Sequence, residues 1–265
     1  MIFCAWLVWN EAQLIGKSIE SVKDYVDYFI VVDGAFQSNL KAVEENKILS
    51  TDNTIEIVKS LIPQNKLSII NPPNRFWVDE AEKRTAYCKE FFKLGKAGDW
   101  LLWLDGDEML TDNVKGGFDY LRKISKNSEA YKAHWVWVKS TYPSESPIHY
   151  KGDEWKGYKE KYDIENTYFD MGRRINILPY EDIHYVNALQ PANNKNQHIR
   201  PLDNHVNKFF MIWNLVWLRN AEMLGLRYER CLIERKPNKG KWRDESWATK
   251  ILDDMEKRYN VKLDI

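Results

Sequence analysis

Trp100-Leu-Leu-Trp-Leu104, followed at once by Asp105-Gly106-Asp107-Glu108, is the stretch that most limits what this chain can become. Apolar residues unbroken between Gly98-Asp99 and Asp105 read as a short buried strand, and acidic side chains crowd its carboxyl end. Carboxylates this close repel one another unless a cation neutralises them. In an open α/β sheet the carboxyl ends of the strands are also where ligands collect. A divalent metal held by oxygen ligands, with a phosphorylated substrate completing its shell, satisfies both conditions. A solvated acidic turn after a core strand is the plain alternative.

What precedes that strand alternates β with α. Residues 2–9 read as a strand, and Asn10-Glu11 opens a helix whose Ile15, Ile19, Val22 and Val26 recur at helical spacing. Tyr28 to Val32 is a second strand ending at Asp33-Gly34, which makes a βαβ unit with parallel strands and a right-handed crossover. Residues 35–50 are polar and irregular. Ser50-Thr51-Asp52-Asn53-Thr54 then supplies N-cap candidates for a helix carrying Ile55, Val58 and Ile62, which Pro63 stops. Leu67 to Ile70 is a third strand. Asp79-x-x-Glu82 has the form of a capping box, with Ala81, Thr85, Cys88 and Phe92 as the inward stripe of the next helix. This alternation predicts a doubly wound nucleotide-binding half. The Gly-x-Gly-x-x-Gly turn of a Rossmann dehydrogenase is missing after the first strand.

Beyond a helix around Val114, Phe118 and Leu121 the pattern changes. Tyr131 to Lys139 alternates as a strand of a mixed sheet would, residues 140–170 read as loop, and Arg173 to Leu178 as another strand. Glu181-Asp182-Ile183-His184-Tyr185 then precedes a polar loop through Asn196. Val206, Phe210, Trp213, Trp217, Ala221 and Leu224 lie at the spacing of one helix, and Trp247, Ile251, Met255 and Tyr259 at that of a last one.

Charge excludes some partners. The 39 basic residues balance 39 acidic ones, so no net field draws the chain to nucleic acid or to an anionic membrane. Cys4, Cys88 and Cys231 form no C-x-x-C pair and suggest reduced thiols in a cytoplasmic protein. The run from Phe209 to Leu218 falls short of the roughly twenty apolar residues that cross a bilayer, which predicts no transmembrane segment and leaves peripheral membrane contact open. Twelve tryptophans are an excess, too many to be core alone.

The order strand, Asn10-Glu11, helix, Ile-Val-Val-Asp33, Ser50-Thr-Asp-x-Thr54, strand, helix with Arg84, then Trp-Leu-Asp105-Gly-Asp107 resembles the GT-A fold glycosyltransferases of the family-2 type. The resemblance covers about residues 1–115. It implies an α/β fold of GT-A type, in which a doubly wound, mostly parallel nucleotide-binding sheet (residues 1–115) continues into a smaller mixed-sheet acceptor half with C-terminal helices (116–265). It further implies that the Asp-x-Asp motif holds a divalent cation, Mn2+ or Mg2+, against the diphosphate of a nucleoside-diphosphate sugar. Leu7, Trp9, Asn10, Glu11 and Gly106 would line the donor site, Asp33 would take the base or ribose, and Arg84 a base edge or phosphate. Two departures stand out: about fifteen residues separate Asp33 from Ser50, and Gly34 stands where the family often has a second acid.

Such an enzyme moves a sugar to a saccharide, glycolipid or glycoprotein acceptor, and Trp135, Trp137 and Trp155 are candidates for stacking on a sugar ring. Asp105 and Asp107 are the expected metal ligands, with Asp107 favoured for direct contact. His205 resembles the carboxyl-terminal histidine that completes the metal shell in many GT-A enzymes, and His184 competes for that role. An inverting reaction needs a carboxylate to take the acceptor's proton. The family places it well after the metal motif, commonly in a Glu-Asp pair, which nominates Asp182, with Glu181 second. Lys83-Arg84 and Arg173-Arg174 are candidates to neutralise diphosphate. The rival enzyme class is a haloacid-dehalogenase-type phosphatase with Asp105 as covalent nucleophile. The rival outside catalysis is a glycan-binding or scaffold protein of the same fold.

Overall fold

In a computed structural model of the chain, residues 1–110, 114–124, 130–138, 168–187, 190–195, 201–202 and 211–214 are described. The first strand, β1 (Ile2–Leu7), is wholly buried. It lies between β2 (Tyr28–Val32) and β4 (Trp100–Asp105), parallel to both, and β3 (Leu67–Ile70) adds to β2, also parallel. The helices α1 (Ile15–Glu20), α3 (Thr54–Leu61) and α4 (Glu80–Leu94) make the crossovers. A short helix α2 (Leu40–Glu44) sits in the segment read as irregular.

Strand alternation splits the core into two layers, one on each face of the sheet. From β1, Ile2, Cys4, Trp6 and Val8 point to one layer, and Phe3, Ala5 and Leu7 to the other. In β4 the split is Trp100, Leu102 and Leu104 against Leu101 and Trp103. Strands buried on both faces read as continuous apolar runs, which is why β1 and β4 stand out in the sequence. The first layer is covered by α1, α3 and α5 (Val114–Lys123), and the second by α4. The expected stripes hold for Ile15, Ile19, Val22 and Val26, for Val58 and Ile62, and for Val114, Phe118 and Leu121, all buried. In α4 the expectation is corrected at Phe92, which is 40% exposed, while Tyr87, Cys88 and Phe91 turn inward.

Past β4 the sheet changes direction without breaking. The strand β7 (Tyr168–Pro179) pairs antiparallel with the start of β4, Trp100 opposite Pro179, and β6 (Ala130–Val138) pairs antiparallel with β7. Then come β11 (Met211–Asn214), parallel to β6, and β5 (Glu108–Leu110), antiparallel to β11; β10 (Pro201–Leu202) also pairs with β6. The result is a nine-stranded, mostly parallel mixed sheet in the order β3-β2-β1-β4-β7-β6-β11-β5, with β10 to one side. It crosses residue 115 as one piece.

Three sequence expectations are corrected here. The segment from Val206, read as one helix to Leu224, contains a strand at Met211–Asn214, because a short apolar run fits a buried strand as well as a helix and pairing with β6 and β5 decides. The stretch read as a polar loop after Tyr185, through Asn196, instead completes a second, two-stranded antiparallel sheet of β8 (Ile183–Asn187) and β9 (Gln190–Asn193). Residues 168–170, read as loop, belong to β7. The expected last helix, Trp247 to Tyr259, lies outside the described residues. Among the described residues no helix is long and apolar enough to cross a membrane.

Candidate functional site at the carboxyl edge of the sheet

The carboxyl ends of β1 and β4 lie side by side, Leu7 opposite Asp105. The connection out of β1, through α1, covers one face and the connection into β4, through α4, covers the other, so a crevice forms where the strand order reverses, the ordinary ligand position in such a sheet. Gly106 closes it tightly. Its N–H donates to the Leu7 carbonyl at 3.2 Å, and a Cβ there would stand 2.7 Å from Glu11 Cγ. Glu11 is 9% exposed, so the crevice floor is a carboxylate laid across the one residue between Asp105 and Asp107 that has no side chain.

The acidic turn has a definite construction. Asp105 ends β4, Gly106 and Asp107 form the turn, and Glu108 begins β5. Glu108 is buried, and its Oε2 accepts the Asp105 N–H at 2.9 Å, so this third acid closes the turn. From below, Ser18 on α1 accepts the Trp6 indole N–H at 2.7 Å and donates to the Glu108 carbonyl. Asp107 is wholly buried, whereas the Asp105 side chain keeps 21% of its surface.

Arg84 accounts for the stability of Asp105 in this place. Its guanidinium, fully buried, pairs with Asp105 Oδ1 at 3.0 Å and with Glu80 one helical turn back, Nε to Oε1 at 3.1 Å. It lies over the Trp103 ring, 3.7 Å from the centroid. Burial works against the charge, but the Asp105 and Glu80 carboxylates outweigh it and hold the guanidinium firmly protonated. Arg84 is thus occupied within the protein, and its visible role is to hold Asp105. Lys83, expected to face diphosphate, is 1% exposed and donates from Nζ to the Val8 carbonyl at 2.7 Å and the Gly34 carbonyl at 2.6 Å. It staples the ends of β1 and β2 from the α4 side.

The loop after β1 is held by the Ser50–Thr54 segment. Asp33 is 2% exposed, and its two oxygens accept Ser50 Oγ at 2.6 Å and Ser50 N at 3.1 Å. Ser50 Oγ in turn accepts the Asn10 N–H at 2.9 Å, and Asn10 Oδ1 accepts Thr51 N at 2.8 Å. Thr54 Oγ1 accepts Glu11 N at 2.7 Å, and Asp52 Oδ2 accepts Ala12 N at 3.0 Å. The residues between Asp33 and Ser50 therefore loop out and return: Ala35 N donates to the Ile48 carbonyl at 2.8 Å, and the sequence gap does not separate the two groups. Gly34 has φ 113°, and a Cβ there would meet Pro72 and the Trp77 indole at 3.0 Å, so no acidic residue fits at that position. Beside this loop the buried Nε1 of Trp9 finds no acceptor among the described residues.

The structure brings Leu7, Trp9, Asn10, Glu11, Asp33, Arg84, Asp105, Gly106 and Asp107 to one edge. Glu181 and Asp182 follow β7, whose end pairs with the start of β4: Tyr180 N donates to the Asp99 carbonyl at 3.1 Å, and the Asp182 charge acts on the Cys88 thiol of α4. His184 lies on β8 next to Tyr185, which faces Arg84, and strand alternation turns the histidine to the other side. His205, His149, His198 and Trp155 lie outside the described residues. Arg173 and Arg174 fall on β7, and His134, Trp135 and Trp137 on β6. Sequence reasoning missed Glu80, Lys83 as a staple, Trp103 and Tyr185; only Glu80 left a signal, its i,i+4 spacing to Arg84.

Among the described residues no three His, Cys, Asp or Glu side chains are arranged to hold a metal by themselves. The described carboxylates make no all-protein cage; Asp105 and Asp107 are oxygen donors of the type that a hard cation takes when a bound phosphate completes its shell.

No family model matches the chain. It is 28% identical over 127 residues to an uncharacterized glycosyltransferase of Rickettsia prowazekii, covering 48% of this chain and 34% of that protein. An uncharacterized glycosyltransferase of Rickettsia felis is also 28% identical over 127 residues, covering 48% of this chain and 35% of that protein. The match spans about a third of the length of these curated relatives. Among solved structures, S. aureus TarS superposes at a TM-score of 0.40 and 12% identity, covering 97% of this chain and 43% of that chain, a likeness too distant to carry an argument.

Proposed function

We propose that the chain is a metal-dependent glycosyltransferase of GT-A type that moves a sugar from a nucleoside diphosphate to a saccharide, glycolipid or glycoprotein acceptor. The observation that carries the reading is the Asp105-Gly106-Asp107 turn at the β1–β4 crevice, braced by Arg84, Glu108 and Glu11. The relatives named glycosyltransferase support the same class.

In this reading Asp107, with Asp105 beside it, would hold Mn2+ or Mg2+. The bound ion would stabilise, as a Lewis acid, the charge that grows on the departing diphosphate. The chain's own part is positioning. Arg84 and Glu108 keep the Asp105 side chain and backbone in one orientation before substrate arrives, which lowers the ordering still to be done at the transition state. The loop Trp9-Asn10-Glu11, pinned by Ser50, Asp52 and Thr54, would form the wall for the nucleoside, and His205 remains our candidate for a further ligand. For an inverting course Asp182, with Glu181 second, remains our candidate base. No observation favours the phosphatase, whose Asp105 would have to attack phosphorus while ion-paired to Arg84.

Calorimetric titration of UDP and GDP, each with and without MnCl2, tests this reading. The wild-type protein is expected to bind one of them only with metal, and Asp107→Ala to lose that binding. No binding of either under any condition overturns the proposal, while binding with no turnover of any sugar nucleotide would make the protein a non-catalytic binder of the same fold.

A further inference from the structure

Arg84 is held by more than its two carboxylates. Besides lying on Trp103, the guanidinium carbon is 5.9 Å from the centroid of the Tyr185 ring. Trp103 and Tyr185 meet edge to face at 6.3 Å, Tyr185 and Tyr87 at 6.1 Å, and the Tyr87 hydroxyl is 3.5 Å from Arg84 Nη1. All four side chains are buried. Trp103 and Tyr87 come from β4 and α4, the elements that already carry Asp105 and Arg84. Tyr185 comes from β8, which docks on α4 by donating the Tyr185 N–H to Thr85 Oγ1 at 3.0 Å.

The wall matters because Arg84 has two acidic partners of unequal reach. Glu80 sits one turn back on the same helix and can satisfy the guanidinium by itself. Asp105 belongs to another element, and its share depends on how the planar fork is oriented. Trp103 covers one face of that plane, and the Tyr185 ring closes a second side.

We infer that Tyr185 is a positioning residue for the Asp105 carboxylate, acting through Arg84: the ring on the β8–β9 hairpin keeps the guanidinium turned toward Asp105 instead of relaxing onto Glu80. This rests on the reading of the Asp105–Asp107 turn as a metal-nucleotide site, and deepens it. A segment from beyond the antiparallel strands thereby sets the geometry of the crevice between the parallel ones.

The test is the MnCl2 dependence of UDP and GDP binding, measured by calorimetry on the whole chain. Tyr185→Leu keeps an apolar side chain but no ring, and is expected to need about threefold to tenfold more Mn2+ for half-maximal nucleotide binding, the range a lost cation–π wall implies. Nucleotide binding at saturating MnCl2 stays unchanged, and Tyr185→Phe, which keeps the ring, shifts the Mn2+ midpoint less than Tyr185→Leu. In an Arg84→Lys background, which removes the planar fork, Tyr185→Leu adds no further shift. An unchanged Mn2+ midpoint, a loss of nucleotide affinity that saturating MnCl2 does not restore, or additive shifts in the double variant overturns the inference while leaving the proposed function standing. If Tyr185→Leu does not fold, Thr85→Val loosens β8 alone, and an unchanged midpoint there overturns it equally. A wild-type protein that binds neither nucleotide overturns the proposed function and this inference with it.

Discussion

Gly106 shows how much can hang on the absence of one methyl group. A Cβ would lie 2.7 Å from Glu11 Cγ, a distance real contacts do not reach, and Glu11 is packed too closely to step aside. Gly106→Ala is expected to destabilise the protein by about 1–3 kcal/mol, the usual range for overpacking, as read from urea denaturation. Glu11→Ala introduced together with it should recover most of that loss; a double variant as unstable as the single one would mean that the turn itself, not the contact, rejects alanine. Asp105 and Asp107 were legible as a pair because acids seldom cluster directly after five buried apolar residues without a reason. Arg84 was legible as a site residue but not in its role, since a lone arginine on a helix does not announce that its charge is spent on Glu80 and Asp105. Cys88 carries no such chemistry: burial pushes its thiol far up, and it acts as a small apolar residue.

At the scale of elements, the Ser50–Thr54 segment does two jobs with one set of side chains. Asp52 Oδ1 accepts Thr54 N at 3.0 Å at the start of α3, and its other oxygen accepts Ala12 N in the loop after β1. Asp52→Ala is therefore expected to lose more than an ordinary cap, about 2 kcal/mol or above against a typical 1 kcal/mol, by thermal or urea denaturation. A loss of a few tenths would show that the loop finds its own support. The capping box at α4 was read correctly in its first half: Asp79 Oδ1 accepts Glu82 N at 2.8 Å. Its second half is diverted, because Glu82 accepts Val78 N at 2.8 Å and pairs with Arg75, whose hydrogen bond holds the Glu82 carboxyl below its usual range. The helix read over Val206–Leu224 failed where Met211–Asn214 joins the sheet, for a four-residue strand has no periodicity of its own to set against a helical pattern.

For the whole molecule, the continuity of the sheet is the property that matters. β4 takes β1 on one side and β7 on the other, with Ile177 and Leu178 both buried against it. A fragment ending at residue 124 would leave the β4 edge unpaired and those contacts open, a template for aggregation. We expect it to elute in the void volume on size-exclusion chromatography, whereas a monomeric fragment that melts like the full chain would show that the parallel half is self-sufficient. The nucleotide half was legible because its strands are buried on both faces and its helices carry regular stripes. The hairpin of β8 and β9 was not, because its strands are short and rich in polar residues.

The sequence alone determined the alternation of β1 to β4 with their helices, the two-layer core and the acidic turn at the end of β4, because each rests on local periodicity or on neighbours in the chain. Only the tertiary structure decided which groups meet. It brought Ser50 to Asp33 across a long loop, set Lys83 between the ends of β1 and β2, and carried Tyr185 to Arg84. Those outcomes depend on strand order and direction, and in particular on β7 running antiparallel to β4, which returns the chain to the opposite end of the sheet. Pairing direction is a property of two segments together, and neither segment's residues record it.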